Sequence, residues 1–337
     1  MNDVLVGVDP SDLSIPALLW AADEAVRRAL PLRLVAAVPP VHDRLWYDAL
    51  AHQGSVRIRT ESALANAVDL VRELHDGLRT ATELVDGVPA TVLRDRTARS
   101  VLAVVGSRRL GRAAEILSEG SVVVPLTAHA DCPVVVVRAP EHPSVHPPTL
   151  VVGMDGSEAC REAVAFAFEE ASLREACLRA VWVWPRPLLS HDDVEEGLAV
   201  RRRLLSESMA GWAERYPDVV TTEEVLRGHP VQQLALTSQD SIALVLGRRG
   251  RGGYRGMRLG STVHGLLHHA DCPVITVPLP EREGREGDRP WAERSRFPTD
   301  RPALGAVPRS ALGAPGPGRD GGARGRPAGR PPGSTER

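Results

Sequence analysis

The chain reads as two tandem α/β domains, each a doubly wound, parallel, five-stranded sheet, followed by a disordered C-terminal tail. Three observations predict this. Short apolar runs alternate with helical patterns, the mark of strands buried on both faces and joined by crossover helices. The pattern then repeats: Ala130-Asp131-Cys132-Pro133 recurs as Ala270-Asp271-Cys272-Pro273, and Gly120-Ser121 recurs as Gly260-Ser261. An internal duplication is the economical reading. From residue 281 to residue 337 the chain is dominated by Gly, Pro, Arg and Ala. Such a segment cannot bury enough apolar surface to offset the entropy of ordering it.

In the first half, strands are expected near residues 4–8, 33–38, 82–85, 101–105 and 133–137. Between them, residues 13–29 carry Leu18, Ala22, Ala25 and Ala29 at helical spacing, with Ser11 or Asp12 as cap. Residues 62–78 form a second helix with Leu64, Val68, Val71 and Leu74 along one face. The second half expects strands near 150–154, 178–184, 223–226, 242–246 and 273–277, with helices over 158–176, 194–215 and 261–269. The domains then span 1–139 and 149–280, joined by a stiff proline-rich linker. The strands at 133–137 and 273–277 are short and β-branched, and an unpaired edge of that kind invites a partner strand. They are expected to pair the repeats edge to edge as an internal pseudo-dimer.

At 337 residues, 43% hydrophobic, the chain is long enough for two cores. Its net charge of -2 argues against an electrostatic nucleic-acid binder. The RGG-like end of the tail has acidic residues mixed in and few aromatics, so a solvated tail is expected there. Cys132, Cys160, Cys177 and Cys272 form no C-x-x-C pair, and are expected to be reduced and mostly buried. The start, MNDVLVGVD, resembles a first strand and not a signal peptide. No run is long and apolar enough to span a membrane, so a cytoplasmic protein is expected.

The most informative stretch is LVLGRRGRGGYRGMRLGST, from Leu244 to Thr262. Gly247, Gly250 and Gly260 stand in a G-x2-G-x9-G-[ST] pattern completed by Ser261. Glycine tolerates positive φ and carries no Cβ, so such a loop brings backbone N–H groups close to a phosphate. Ser261 opens the next helix, whose free N–H groups and dipole favour an anion. The chain contains no lysine, which excludes a Walker P-loop and leaves arginine as the basic side chain. A glycine-rich turn closing an ordinary strand-to-helix connection is the alternative. His264, His268 and His269 share the next helix, but no carboxylate or cysteine at suitable spacing completes a metal site.

Taken together, VGVDPS and VGMDGS, the G-x-P positions after each third strand, the glycine loop and the two ADCPV strands resemble the universal stress protein family, in tandem. The resemblance implies a sheet of the adenine-nucleotide α-hydrolase-like type and, in many members, ATP binding, while others lack the loop and do not bind it; Mg²⁺ is expected only as an ion accompanying bound ATP. Dimerisation through the last strand is common in the family, so a homodimer stays open. Carried over residue by residue, it nominates Asp155, Val183, Gly247, Gly250, Gly260, Ser261 and Thr262 as cofactor-binding, and names no catalytic residue. Asp155 has a second reading as a helix cap, and Val183 as plain core.

The first repeat keeps Asp9, Gly106, Gly120 and Ser121, which are nominated with less of the pattern around them. Its loop reads GSRRLGRAAEILSEGS, with Arg109 in place of the second glycine and one extra residue. An ATP-sensing regulatory module, with the nucleotide held mainly by the second repeat, is the leading function. An interaction module with a vestigial loop is the alternative. Nucleotidyl transfer is disfavoured, because neither H-x-G-H nor S-G-G-x-D-S occurs; at most slow ATP hydrolysis is expected.

Overall fold

The computed structural model describes residues 2–10, 15–40, 46–107, 122–138, 147–185, 194–251 and 258–279. The tail, the linker residues 139–146 and the first repeat's loop, with Gly120 and Ser121, lie outside the described residues.

The first repeat contributes strands β1 (Asp3–Gly7), β2 (Leu32–Val38), β3 (Thr80–Asp86), β4 (Ser100–Gly106) and β5 (Val134–Val137). Its helices are α1 (Ile15–Arg27), α2 (Trp46–Leu74), α3 (Pro89–Thr97) and α4 (Val123–His129). In the second repeat come β6 (Thr149–Met154), β7 (Cys177–Trp184), β8 (Thr221–Arg227), β9 (Ala243–Gly247) and β10 (Val274–Val277). They are interleaved with α5 (Glu158–Leu173), α6 (Val194–Arg215), α7 (Pro230–Thr237) and α8 (Ser261–His269).

Every expected strand is present within two residues at each end. The helix expected from residue 62 starts instead at Trp46. Its N-terminal turns expose Arg57, Ile58 and Arg59, so the apolar stripe begins only near Leu64, where the helix meets the sheet. Periodicity also missed α3, α4 and α7, which are too short to show a repeating stripe. Both α3 and α7 begin with proline at the first helical turn, after Gly87 (φ 156) and Gly228 (φ 148). These are the two G-x-P positions.

The ten strands form one sheet in the order β3-β2-β1-β4-β5-β10-β9-β6-β7-β8. Pairing is parallel within each repeat. At the centre β5 and β10 run antiparallel, with Val136 opposite Val274, Val135 opposite Ile275 and Val134 opposite Thr276. The expected edge-to-edge pseudo-dimer is therefore present. The last strand, the common dimer edge of the resembled family, is consumed within the chain.

Alternation along the strands feeds two core layers that each run through both repeats. Val4, Val6, Val135 and Val137 point to the layer under α1, α2, α5 and α6. Leu5, Val134 and Val136 point to the layer under α3, α4, α7 and α8. The first layer also holds charge at the repeat boundary. Arg28 donates to Glu169 (2.7 Å) and Glu170 (2.7 Å), and Arg174 donates to Glu24 (2.9 Å). Arg28 lies over the Phe166 ring and Arg174 over the Trp20 ring, at 5.8 and 4.7 Å. No described helix is long and apolar enough to cross a membrane.

Candidate functional site

In each repeat the strand order reverses beside its first strand, at β1/β4 and at β6/β9. Such a switch point splays the flanking loops apart and leaves a crevice past the carboxyl ends of the strands. In the second repeat that crevice is a cavity of about 560 Å³, lined at the strand ends by Met154, Trp184 and Gly247. Asp155, Val183, Gly250, Gly260, Ser261 and Thr262 also line it. All seven residues nominated in the second repeat thus face one space.

Asp155 follows β6 and uses both carboxylate oxygens. Oδ1 accepts from the Ser157 N–H and Oδ2 from the Arg251 N–H, each at 2.9 Å. Between them Gly156 sits at φ 72, a left-handed conformation that glycine adopts without cost. The cap of α5 is Ser157, whose Oγ accepts from the Cys160 N–H at 3.2 Å. Asp155 is therefore not the helix cap; it ties the β6–α5 turn to the glycine loop across the crevice. Val183 is 8% exposed and belongs to the core while also facing the cavity.

Gly247 and Gly250 act through their missing Cβ and not through positive φ, which corrects part of the sequence expectation. None of Gly247, Gly250 or Gly260 has positive φ. A Cβ at Gly247 would fall 2.7 Å from the Ala159 carbonyl, where β9 packs on α5. One at Gly250 would collide with Asp155 Oδ2. Gly260 caps α8 in extended conformation (φ -69, ψ 147), donates to the Arg248 carbonyl at 3.0 Å, and has room for a Cβ. The amino end of α8, with Gly260, Ser261, Thr262 and Val263, opens onto the cavity.

The loop arginines separate by role. Arg248 turns away, its Nη1 donating to the Ala130 carbonyl of the first repeat at 2.7 Å. Arg249 and Arg251 line the cavity. Arg258 presents its carbonyl to Arg249 Nε at 3.3 Å, and Arg255 lies outside the described residues.

Sequence reading missed the wall built by Trp182, Trp184 and Arg201. The Arg201 guanidinium lies 4.0 Å from the Trp184 ring centroid and its Nη1 donates to the Gly197 carbonyl at 2.8 Å. Gly197 is a glycine inside α6 because a Cβ there would strike the Trp184 ring. Two tryptophans flanking a nominated valine on one strand are the signal that was available. Nothing in the spacing of α6 says that Arg201 reaches the same place.

In the first repeat Asp9 follows β1 exposed and Gly106 ends β4. Val38 occupies the position of Trp184, so the Trp184 ring has no counterpart there, and Asp86, at the position of Arg227, is paired with Arg57 at 3.0 Å. The His264 and His268 rings lie 4.8 Å apart between centroids, tilted by 53°, and among the described residues no three His, Cys, Asp or Glu side chains are placed to hold a metal.

The model of the universal stress protein family matches residues 1–138 and 148–278. Universal stress protein Rv2623 of Mycobacterium tuberculosis is 36% identical over 290 residues, covering 81% of this chain and 95% of the relative. A relative from Mycolicibacterium smegmatis is 35% identical over 291 residues, 81% of this chain and 96% of its own. A solved universal stress protein from Archaeoglobus fulgidus shares the fold, with a TM-score of 0.59 at 14% identity, over 82% of this chain and 96% of that one. The chain belongs to the universal stress protein family, as a tandem of two such domains.

Proposed function

We propose that this tandem universal stress protein is a regulatory module that binds one adenine nucleotide, ATP with or without Mg²⁺, in the cavity of its second repeat. The observation that carries the reading is the Asp155–Arg251 tie, which fixes the glycine loop over a cavity faced by all seven nominated residues. The purine lies against Val183 and Trp182, whose apolar faces favour a flat ring. Phosphates lie on the loop backbone and the amino end of α8, where N–H groups and the helix dipole converge.

The second repeat is favoured over the first because Trp184, which lines the cavity, is replaced there by Val38. A valine offers no stacking face. Asp155 remains an acceptor with lone pairs to spare, so a ribose hydroxyl can join its two backbone donors.

Mass spectrometry of the nucleotides released from the purified full chain tests this, with equilibrium titration of ATP, ADP, AMP and adenosine. One adenine nucleotide per chain is expected. Failure of all four to bind would leave the protein-interaction reading in its place.

A further inference from the structure

Two arginines that no glycine-loop pattern accounts for face the same cavity from different elements. Arg201 comes from α6 and is pinned by the Trp184 ring and the Gly197 carbonyl. Arg251 comes from the loop. Its backbone is fixed by Asp155, and its Nη1 lies 3.7 Å from where a Cβ on Gly156 would be. The carboxylate lining the cavity, Asp155, is engaged by two backbone donors, and among the described residues neither guanidinium has a carboxylate partner.

Burial, and after it the charge of Arg251, pulls the Arg201 guanidinium below its ordinary value. Two cations placed to repel across a cavity are costly until an anion sits between them. Guanidinium is also the group whose planar fork fits phosphate oxygens. We infer that Arg201 and Arg251 form a clamp for a phosphate group of the ligand and make the cavity selective for phosphorylated over unphosphorylated adenine compounds. The adenine half of that statement rests on the proposed function; the anion half rests on the two arginines.

The clamp is distinct from the backbone cradle. Loop N–H groups and the α8 terminus are present whatever the side chains are, whereas Arg201 approaches from α6 and depends on Trp184 for its position. It is therefore a specificity-determining residue that side-chain replacement can remove while the loop stays intact.

Calorimetric titration of the full chain with ATP, adenosine and inorganic tripolyphosphate tests this in wild type, Arg201→Gln and Arg251→Gln. Arg203→Gln, on an exposed part of α6, is the control. Each clamp variant is expected to lose about tenfold or more in affinity for ATP and tripolyphosphate, with adenosine unchanged. The control should match wild type for all three, and unchanged melting temperatures show that the variants fold.

ATP affinity unaltered in both clamp variants overturns the clamp. So does an equal loss for adenosine, which would make Arg201 a support for the base wall. Wild type that takes tripolyphosphate but no adenine compound keeps the clamp and overturns the adenine reading. Wild type that takes none of the three overturns both.

Discussion

Arg28 and Arg174 are mates across the repeat boundary: each donates to its own helix's glutamate and to the other repeat's, Arg28 to Glu170 at 2.7 Å and Arg174 to Glu24 at 2.9 Å. With Glu169 also on Arg28, three carboxylates share two guanidiniums in the core layer that joins the repeats. A buried ion pair adds little over an apolar replacement, but breaking one strands a charge. Arg28→Met is expected to destabilise the chain by about 3–5 kcal/mol, measured by urea unfolding. A loss under about 1 kcal/mol would mean that the network relaxes into solvent.

The same network sets an acid limit. Burial opposes the Glu170 carboxylate, but Arg174 and Arg28 together outweigh it and hold it at about 2, below its ordinary 4.5. A depressed folded value means stability that is present above the ordinary value and lost as pH falls through the folded one. Glu24 moves the other way, raised by burial and by Glu170, so it takes the proton the cluster can accommodate. Urea unfolding between pH 4.5 and 2 should show stability falling in wild type. Glu170→Gln should start lower and lose less over that window.

Ala29 and Glu175 end α1 and α5 at equivalent places, both at φ 52. That left-handed conformation costs a residue with a Cβ roughly 1–2 kcal/mol relative to glycine, offset in part by glycine's freer unfolded chain. Glu175 is exposed, so Glu175→Gly loses no core packing. It is expected to raise stability by about 0.5–1 kcal/mol, read as a higher melting temperature. A lower melting temperature would contradict this.

The cysteines differ in access. Cys132, Cys160 and Cys272 are buried and Cys177 is half-buried. Burial pushes the Cys272 thiol up to about 11 and raises that of Cys160, leaving little thiolate on either near neutral pH. Thiol labelling of the native chain should modify Cys177 first, and all four only after denaturation. Early modification of Cys272 would show that the α8–β10 turn opens.

Much of the fold was legible because most strands are strongly apolar and short motifs recur at equivalent places. ADCPV twice at equivalent places gave the duplication, and the short β-branched edges at 133–137 and 273–277 gave the central pairing of β5 with β10. Short helices were not legible, since α3, α4 and α7 complete too few turns for a stripe. In the site, the glycine spacing pointed to the loop, but the reason for each glycine was visible only in three dimensions: Gly247 for Ala159, Gly250 for Asp155. Arg201 was not legible, because its role depends on Gly197 letting α6 approach the Trp184 ring, a contact that no spacing within α6 marks.

Gly260 gives the most direct test that the second repeat holds the nucleotide. Its backbone conformation suits any residue, and a Cβ there meets nothing closer than 3.5 Å, so Gly260→Val should leave the melting temperature nearly unchanged. The added side chain stands at the cavity-facing cap of α8, where, if the proposed function holds, it should displace phosphate from two or three N–H donors. At about 1 kcal/mol each, the loss is roughly ten- to a hundredfold in affinity. Calorimetric titration of ATP should give one site per chain in wild type, that loss in Gly260→Val, and little change in Gly120→Val. Two equal sites, or loss of binding in Gly120→Val alone, would contradict the assignment to the second repeat.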